Sequence, residues 1–169
     1  MKTFLSLVAT VLLIATPYAS HGADKATLPV QDADLQAMLD RYGEAATAFY
    51  NGEPDAVKAL WSHADDVTLS GAAGGPTAKG WKDVSARLGW ASSQFAGSKG
   101  SKAVKQIQVD VSGDFAYIVQ YEHIRYLPPG QDKEAVRNYR VTTIFRRESG
   151  EWRVVHRHAD TQVTRQDIR

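Results

Sequence analysis

The chain has 169 residues, a formal net charge of +1 and no cysteine. The absence of cysteine excludes disulfides, thiolate metal sites and cysteine nucleophiles. A nearly neutral chain lacks the long-range positive field that attracts nucleic acid or anionic lipid, so we expect no nucleic-acid partner. The length predicts one domain with a substantial hydrophobic core.

The first residues have the features of a targeting segment. The mostly apolar run over residues 4–15 is too short to span a bilayer comfortably, and Ser20 and Gly22 are small residues of the kind read by a signal peptidase. We therefore expect residues 1–22 to be a signal peptide and residues 23–31 a flexible leader. The mature chain is then exported, periplasmic or secreted, without membrane association. An uncleaved membrane anchor is the alternative.

Helical patterns occupy the first half of the predicted domain, residues 32–169. Apolar residues at spacings of three and four run from Leu35 to Phe49, and Asp32 or Asp34 is a suitable N-cap. The complete set of elements predicted in this half is a helix over 32–50, a helix over 55–61, a short strand over 67–70, a loop over 71–76 and a helix over 80–95.

Alternating patterns typical of strands occupy the second half. They predict strands over 103–111, 115–126, 135–147 and 151–163, joined in part by short glycine turns. Helices followed by strands with short connections indicate an α+β fold in which an antiparallel sheet wraps around the helices.

The last strand carries the most informative pattern. Strict alternation places Trp152, Val154, His156, His158 and Asp160 on one face. We expect the two imidazoles to line a cavity, where they bind a ligand, act as acid or base, or serve only as hydrogen-bonded structural histidines. A metal held with Asp160 as third ligand is a weaker alternative, because strand twist separates the ends of such a set. We predict no metal and no cofactor.

Two segments carry a family resemblance. The run from Tyr50 to Leu69, which includes Leu60-Trp61 and His63-Ala64-Asp65-Asp66, and the run from Arg140 to His158 resemble SnoaL-like proteins of the nuclear-transport-factor-two-like, or ketosteroid-isomerase-like, superfamily. The resemblance implies a cone-shaped domain in which a curved antiparallel sheet is closed by three helices. It also implies a pocket between sheet and helices, and a homodimer formed through the sheet.

The resemblance does not extend to the residues that a ketosteroid isomerase uses. Gly71 stands where the carboxylate base is expected, and Thr142 replaces the protonated Asp of the oxyanion hole. The expected Tyr falls near Ala45, with Tyr42 about one turn away. We therefore reject that chemistry for this chain.

The predicted function is an exported small-molecule-binding domain for a small apolar or acidic molecule, with no assignable activity. The alternative is a cofactor-independent isomerase, dehydratase or cyclase, for which His158, His123 and Arg140 are the catalytic candidates, a His acting as general base. The complete predicted pocket consists of Trp61, Trp81, Tyr121, His123, Arg140, Thr142, His156 and His158.

Overall fold

The computed structural model describes residues 32–161, so the predicted signal peptide and leader lie outside the described residues. The elements in chain order are α1 (Ala33–Phe49), α2 (Asp55–Ala59), β1 (Thr68–Ser70), β2 (Ala78–Lys79), α3 (Trp81–Ser93), β3 (Ser101–Ser112), β4 (Phe115–Tyr126), β5 (Ala135–Glu148) and β6 (Glu151–Asp160). The predicted α+β fold, with three helices before the long strands, is confirmed. Within the described residues, no helix has the length and apolar character needed to cross a membrane.

Helix α1 begins at a side-chain cap. A carboxylate oxygen of Asp32 accepts a hydrogen bond from the backbone N–H of Leu35 at 2.8 Å, which satisfies one of the unpaired donors of the first turn. Arg147 of β5 donates to the same Asp32 at 2.8 Å and lies 4.5 Å from the ring of Trp152. These contacts fix the start of α1 against the sheet. Its predicted apolar stripe is buried at Leu35, Met38, Tyr42, Ala45 and Ala46.

The strands form one curved, unclosed sheet in the order β2-β1-β6-β5-β4-β3. The four long strands are antiparallel neighbours. Strand β1 pairs with β6 in parallel, and β2, which the sequence did not reveal, adds two residues at that edge. The inner face packs against the helices, and the outer face is turned away from them.

A β-bulge in β6 decides which residues of that strand face inward. Ile144 pairs with His156 and Phe145 pairs with Val154, so Val155 is an extra residue without a partner on β5. An extra residue reverses the side-chain alternation beyond it. Trp152 and Val154 are therefore buried before the bulge, and the inward positions after it are Val155, Arg157 and Ala159 instead of His156, His158 and Asp160.

The core consists of two clusters. The larger one lies near the start of α1 and includes Leu35, Met38, Trp61, Phe145 and Trp152, each no more than 2% exposed. The smaller one lies near the end of α1 and contains Ala46, Tyr50, Phe95, Ile124, Tyr126, Tyr139, Val141 and Ala159. Residues from both clusters border the cavity described below.

The end of α1 packs against the start of β3 at a glycine. A Cβ on Gly100 would lie 2.7 Å from the backbone oxygen of Tyr50, whereas one on Gly43, within α1, would meet nothing within 4 Å. We expect Gly100→Ala to lower the free energy of unfolding by about 1–3 kcal/mol through overpacking. Gly43→Ala, the matched control, should raise it by about 0.5–1 kcal/mol through helix propensity. Urea denaturation of both variants checks this, and an unchanged midpoint for Gly100→Ala would contradict the close approach.

Candidate functional site

A cavity of about 90 Å³ lies between the helices and the inner face of the sheet. It is lined by α1, α2, α3, the segment after β1 and the four long strands; the lining residues are Tyr42, Ala46, Phe49, Tyr50, Val57, Leu69, Gly71, Ala72, Ala73, Arg87, Leu88, Trp90, Ala91, Gln94, Phe95, Lys102, Glu122, Arg137, Tyr139 and Arg157. Most of these side chains are apolar or aromatic, with a few charged groups between them. Such a lining is typical of a small-molecule site.

A buried charged cluster forms the sheet side of the cavity. Glu122, 2% exposed, accepts hydrogen bonds from Arg157 at 2.9 Å and Tyr50 at 3.2 Å on Oε2, and from Gln120 at 2.8 Å on Oε1. Lys102 Nζ lies 3.8 Å from Oε1, beyond hydrogen-bond distance. Two cations therefore face one carboxylate, so the cluster carries an excess positive charge away from bulk water.

Burial and mutual charge shift the pKa values of this cluster. Burial alone would raise the pKa of Glu122, but the charges of Arg157 and Lys102 together with its hydrogen bonds hold that pKa below 4.5. Burial lowers the pKa of Lys102, and Arg157 lowers it further, against the attraction of Glu122. Burial and the charge of Glu122 raise the pKa of Tyr50 well above its ordinary value. Glu122 is thus ionised at neutral pH, and Tyr50 is a neutral hydrogen-bond donor.

An aromatic wall closes one side of the cavity. The rings of Tyr50 and Phe95 meet edge to face with centroids 4.9 Å apart, and Tyr126 meets Phe95 at 4.8 Å. The guanidinium of Arg137 lies 4.8 Å from the Tyr126 ring and 5.3 Å from that of Phe95. A cation over aromatic faces is held in place without a carboxylate partner, so Arg137 adds positive charge to the cavity wall.

The cavity has its mouth beside the segment after β1, where the lining residues Ala73 and Trp90 are exposed. Gly71, Ala72 and Ala73 line the cavity. Arg87 of α3 donates to the backbone oxygens of Gly74 at 3.2 Å and Pro76 at 3.1 Å. One side chain therefore holds the segment over residues 71–77 against α3.

The sequence matches the family described as SnoaL-like domain over residues 35–161, which include all the residues that line the cavity. The chain belongs to the SnoaL-like family. This confirms the resemblance stated from the sequence. No curated protein matches the chain.

Solved structures share the fold of this SnoaL-like domain. A provisionally assigned calcium/calmodulin-dependent protein kinase II association domain from Xanthomonas campestris is 17% identical, with 86% of this chain and 99% of that chain covered at a TM-score of 0.66. A nuclear transport factor 2-like protein from Salmonella enterica is 15% identical, with 79% of this chain and 92% of that chain covered at a TM-score of 0.65. A ketosteroid isomerase-like protein from Erwinia carotovora is 19% identical, with 78% of this chain and 96% of that chain covered at a TM-score of 0.62. The family and fold support a small-molecule-binding or isomerase-like domain.

The predicted pocket residues of β4 and β5 lie on the outer face of the sheet. Tyr121 and His123 are exposed, and the ring of His123 is hydrogen-bonded to Asn138 Oδ1 at 2.6 Å. Arg140 makes a two-pronged contact with Asp160 at 3.0 and 3.1 Å, and Thr142 pairs with Val119. The inward assignment of these residues is wrong, because Gln120, Glu122, Tyr139 and Val141 occupy the inward positions.

The predicted inward histidines of β6 also lie outside the cavity. The bulge at Val155 turns His156 and His158 to the outer face and brings Arg157 inward. His156 Nδ1 is 2.7 Å from Thr68 Oγ1, and burial together with the neighbouring His158 lowers its pKa. Within residues 32–161, no histidine lines the cavity, and no group of three His, Asp or Glu is arranged to hold a metal ion. The general-base role predicted for a pocket His therefore has no place in this cavity.

The two predicted tryptophans lie in or beside the core. Trp61 is 1% exposed and belongs to the larger cluster. Trp81, at the start of α3, stacks on His63 with ring centroids 3.9 Å apart. Neither borders the cavity, so the prediction that they line it is wrong.

Sequence reasoning missed Glu122, Lys102 and Arg157. A signal for Glu122 exists in β4, where one face consists of Ala116, Ile118, Gln120, Glu122, Ile124 and Tyr126. Two polar residues within an otherwise apolar face indicate a polar site inside the core. The opposite face holds Phe115, Tyr117 and Tyr121, and its aromatic character made it look like the cavity wall.

We expect Glu122→Gln to lower the free energy of unfolding by about 3–5 kcal/mol near neutral pH, because it leaves Arg157 and Lys102 buried without a counter-charge. The folded state holds the pKa of Glu122 below 4.5, so the unfolded chain takes up the proton first. The stabilisation is therefore complete above that pH and is lost as pH falls below it. Glu122→Gln should lose less stability on acidification than the unmodified chain.

Urea denaturation at neutral and acidic pH measures both effects. Asp66→Asn is the control, because Asp66 is an exposed carboxylate paired with Arg146 at 2.6 Å, and it should cost less than about 1 kcal/mol. Equal stability of Glu122→Gln and the unmodified chain would contradict the electrostatic account of the site.

Proposed function

We propose that this SnoaL-like protein is exported and binds a small molecule with an apolar body and an acidic head group, without turning it over. The observation that carries the proposal is the largely apolar cavity in which Arg157 and Lys102 face the single carboxylate of Glu122. A ligand carboxylate supplies the negative charge that this cluster lacks.

The charge of the whole lining supports an acidic ligand. Four basic residues line the cavity, Arg87, Lys102, Arg137 and Arg157, and Glu122 is the one acidic residue in the lining drawn from the described part of the chain. Charge-assisted hydrogen bonds to a carboxylate are roughly twice as strong as neutral ones, and a guanidinium matches a carboxylate in shape. The aromatic and aliphatic side chains around them favour an apolar body.

The volume limits what can be enclosed. A cavity of about 90 Å³ is smaller than the ~150 Å³ cavity known to hold benzene. It can enclose an acid smaller than benzene, or one end of a larger molecule such as a branched acid. The rest of a longer ligand would extend through the mouth beside residues 71–77.

Isovalerate and 3-methylbutan-1-ol form a matched pair of probes, because they share an apolar body and differ in the head group. We expect the protein to bind isovalerate more tightly than the alcohol. Lys102→Met should weaken isovalerate binding by about tenfold, through loss of a charged contact, and leave the alcohol unchanged. Ligand-observed NMR titrations measure all four affinities.

Lys105→Met is the control, since Lys105 is exposed on the same strand and lies outside the cavity lining. It should bind isovalerate as the unmodified chain does. Lys102→Met leaves Glu122 paired with Arg157, so we expect it to fold. Equal affinities for acid and alcohol would contradict the proposed ligand class.

The alternative function, a cofactor-independent isomerase, dehydratase or cyclase, now depends on Glu122 as the base. The observation in its favour is a carboxylate inside the cavity, hydrogen-bonded to the neutral hydroxyl of Tyr50 at 3.2 Å. The lowered pKa of Glu122 and its three short hydrogen bonds weaken it as a base. We therefore propose ligand binding as the function and keep the enzymatic reaction as the alternative.

We also propose that two copies of the chain associate through the outer face of the sheet. Phe115, Tyr117 and Tyr121 alternate along this face of β4 and are 52%, 37% and 42% exposed. Exposed aromatic side chains are enriched in protein interfaces. A homodimer would cover this strip and leave the cavity on the inner face open to ligand.

Native mass spectrometry of the full chain after export tests these proposals together. We expect a dimer whose subunits lack residues 1–22, with an acidic small molecule retained. Tyr117→Lys should give a monomer, because a charge at the centre of the strip would be buried without a partner. Val104→Lys, at a position that is 46% exposed on the helix side of β3, should remain dimeric. A monomeric unmodified chain at micromolar concentration would contradict the interface.

A further inference from the structure

Lys102 is held in an unusual position for a lysine. It lies near the start of β3 with its side chain 10% exposed, and it borders both the central cavity and a second pocket between α1 and the sheet. Its Nζ is 3.8 Å from Glu122 Oε1 and 6.0 Å from the centre of the Tyr42 ring. Among the described residues, no acceptor lies within hydrogen-bond distance of this amino group.

The carboxylate nearest to Lys102 is already used by other donors. Each oxygen of Glu122 accepts at least one shorter hydrogen bond, from Gln120 on Oε1 and from Arg157 and Tyr50 on Oε2. Arg157 stays protonated under all ordinary conditions and neutralises the carboxylate. Lys102 is the second cation beside one anion, and burial favours its neutral form. Burial therefore increases the fraction of Lys102 in the neutral form, which has a free lone pair, and this amino group borders the cavity.

We propose that Lys102 forms a reversible imine with small aldehydes and ketones that enter the cavity, and with 2-oxo acids in particular. The inference rests on the proposed function in one respect, that the cavity admits small molecules. The ketone or aldehyde carbon supplies the electrophile, and the carboxylate of a 2-oxo acid meets the positive charge of Arg157 and Arg137. Neither the exposed lysines nor the residues on the outer face of the sheet combine a buried amino group with a cavity and neighbouring guanidinium groups.

The reaction balances without an oxidant or reductant. The Nζ lone pair attacks the carbonyl carbon, a C–N bond forms, and the π electrons move to oxygen. A proton passes from nitrogen to that oxygen to give a carbinolamine. The nitrogen then gives up its second proton as the C–O bond breaks, so the hydroxyl leaves as water and the imine remains.

Other lysines provide the internal comparison. Lys79, Lys82, Lys99, Lys105 and Lys133 are exposed and lie outside the cavity lining, so none of them shares the buried position of Lys102. A chemical probe that reports on the neutral amine will therefore separate Lys102 from the exposed lysines within a single sample of folded protein.

The experiment uses the full chain, pyruvate as the carbonyl probe and cyanoborohydride, which reduces an imine to a stable secondary amine. Peptide mapping by mass spectrometry then locates the label. At neutral pH we expect Lys102 to be labelled roughly tenfold faster than any exposed lysine, because burial lowers its pKa and so increases the fraction of neutral amine. Lactate, in which a hydroxyl group replaces the ketone of pyruvate, should give no label.

Two variants complete the test. Lys102→Arg keeps the positive charge but cannot form the imine, and it should remove the fast label, whereas Lys105→Arg should leave it unchanged. Thermal melting checks that both are folded. An excess of isovalerate should slow labelling of Lys102 in the unmodified chain and leave the exposed lysines unaffected. This competition needs no variant, so it stands even where Lys102→Arg fails to fold.

The outcomes separate this inference from the proposed function. Labelling spread evenly over the exposed lysines, with isovalerate still bound in a Lys102-dependent way, overturns the imine and leaves acid binding standing. Fast labelling of Lys102 without isovalerate binding supports the imine and overturns the proposed acid ligand. Even labelling together with absence of isovalerate binding overturns both.

Discussion

The ion pair between Glu122 and Arg157 determines which charged groups lie inside the cavity. Both groups lie inside the domain, where an unpaired charge costs several kcal/mol, so each requires the other in place. Their contact depends on Val155, the extra residue of β6 that brings Arg157 to the inner face. One residue more or less in that strand would place an imidazole in the cavity and a guanidinium outside it.

The cavity lies where the two core clusters meet. The cluster around Trp61 and Phe145 fixes the start of α1 on the sheet, and the cluster around Tyr50 and Phe95 fixes its end. Between them, the charged side chains need hydrogen-bond partners in defined directions, which limits how closely apolar groups can pack there. The fold therefore provides rigid walls from hydrophobic packing and chemical selectivity from a few polar groups.

The sequence predicted the architecture well because the signals were long and regular. The stripe from Leu35 to Phe49 gave α1, and alternation gave the four long strands. The sequence predicted the site poorly, for two physical reasons. Period-two alternation says which residues share a face but not which face is buried, and β4 carries aromatic residues on its outer side. The bulge at Val155 leaves no clear mark in the sequence, since Val154 and Val155 suit a regular strand equally well.

The contact of Arg87 with residues Gly74 and Pro76 has a kinetic consequence. The segment beside the mouth is held by exposed hydrogen bonds, two from Arg87 and one between Ser70 and Thr77, each worth about 1 kcal/mol net. Ala72 adds a small apolar contact with the smaller core cluster. Loosening it therefore requires a side-chain rotation and no rearrangement of the sheet or helices. Under the proposed function, an occupant then exchanges with solvent through a local motion of the kind that takes nanoseconds to microseconds, so we expect its retention to depend on the charges inside the cavity and not on a slow gate.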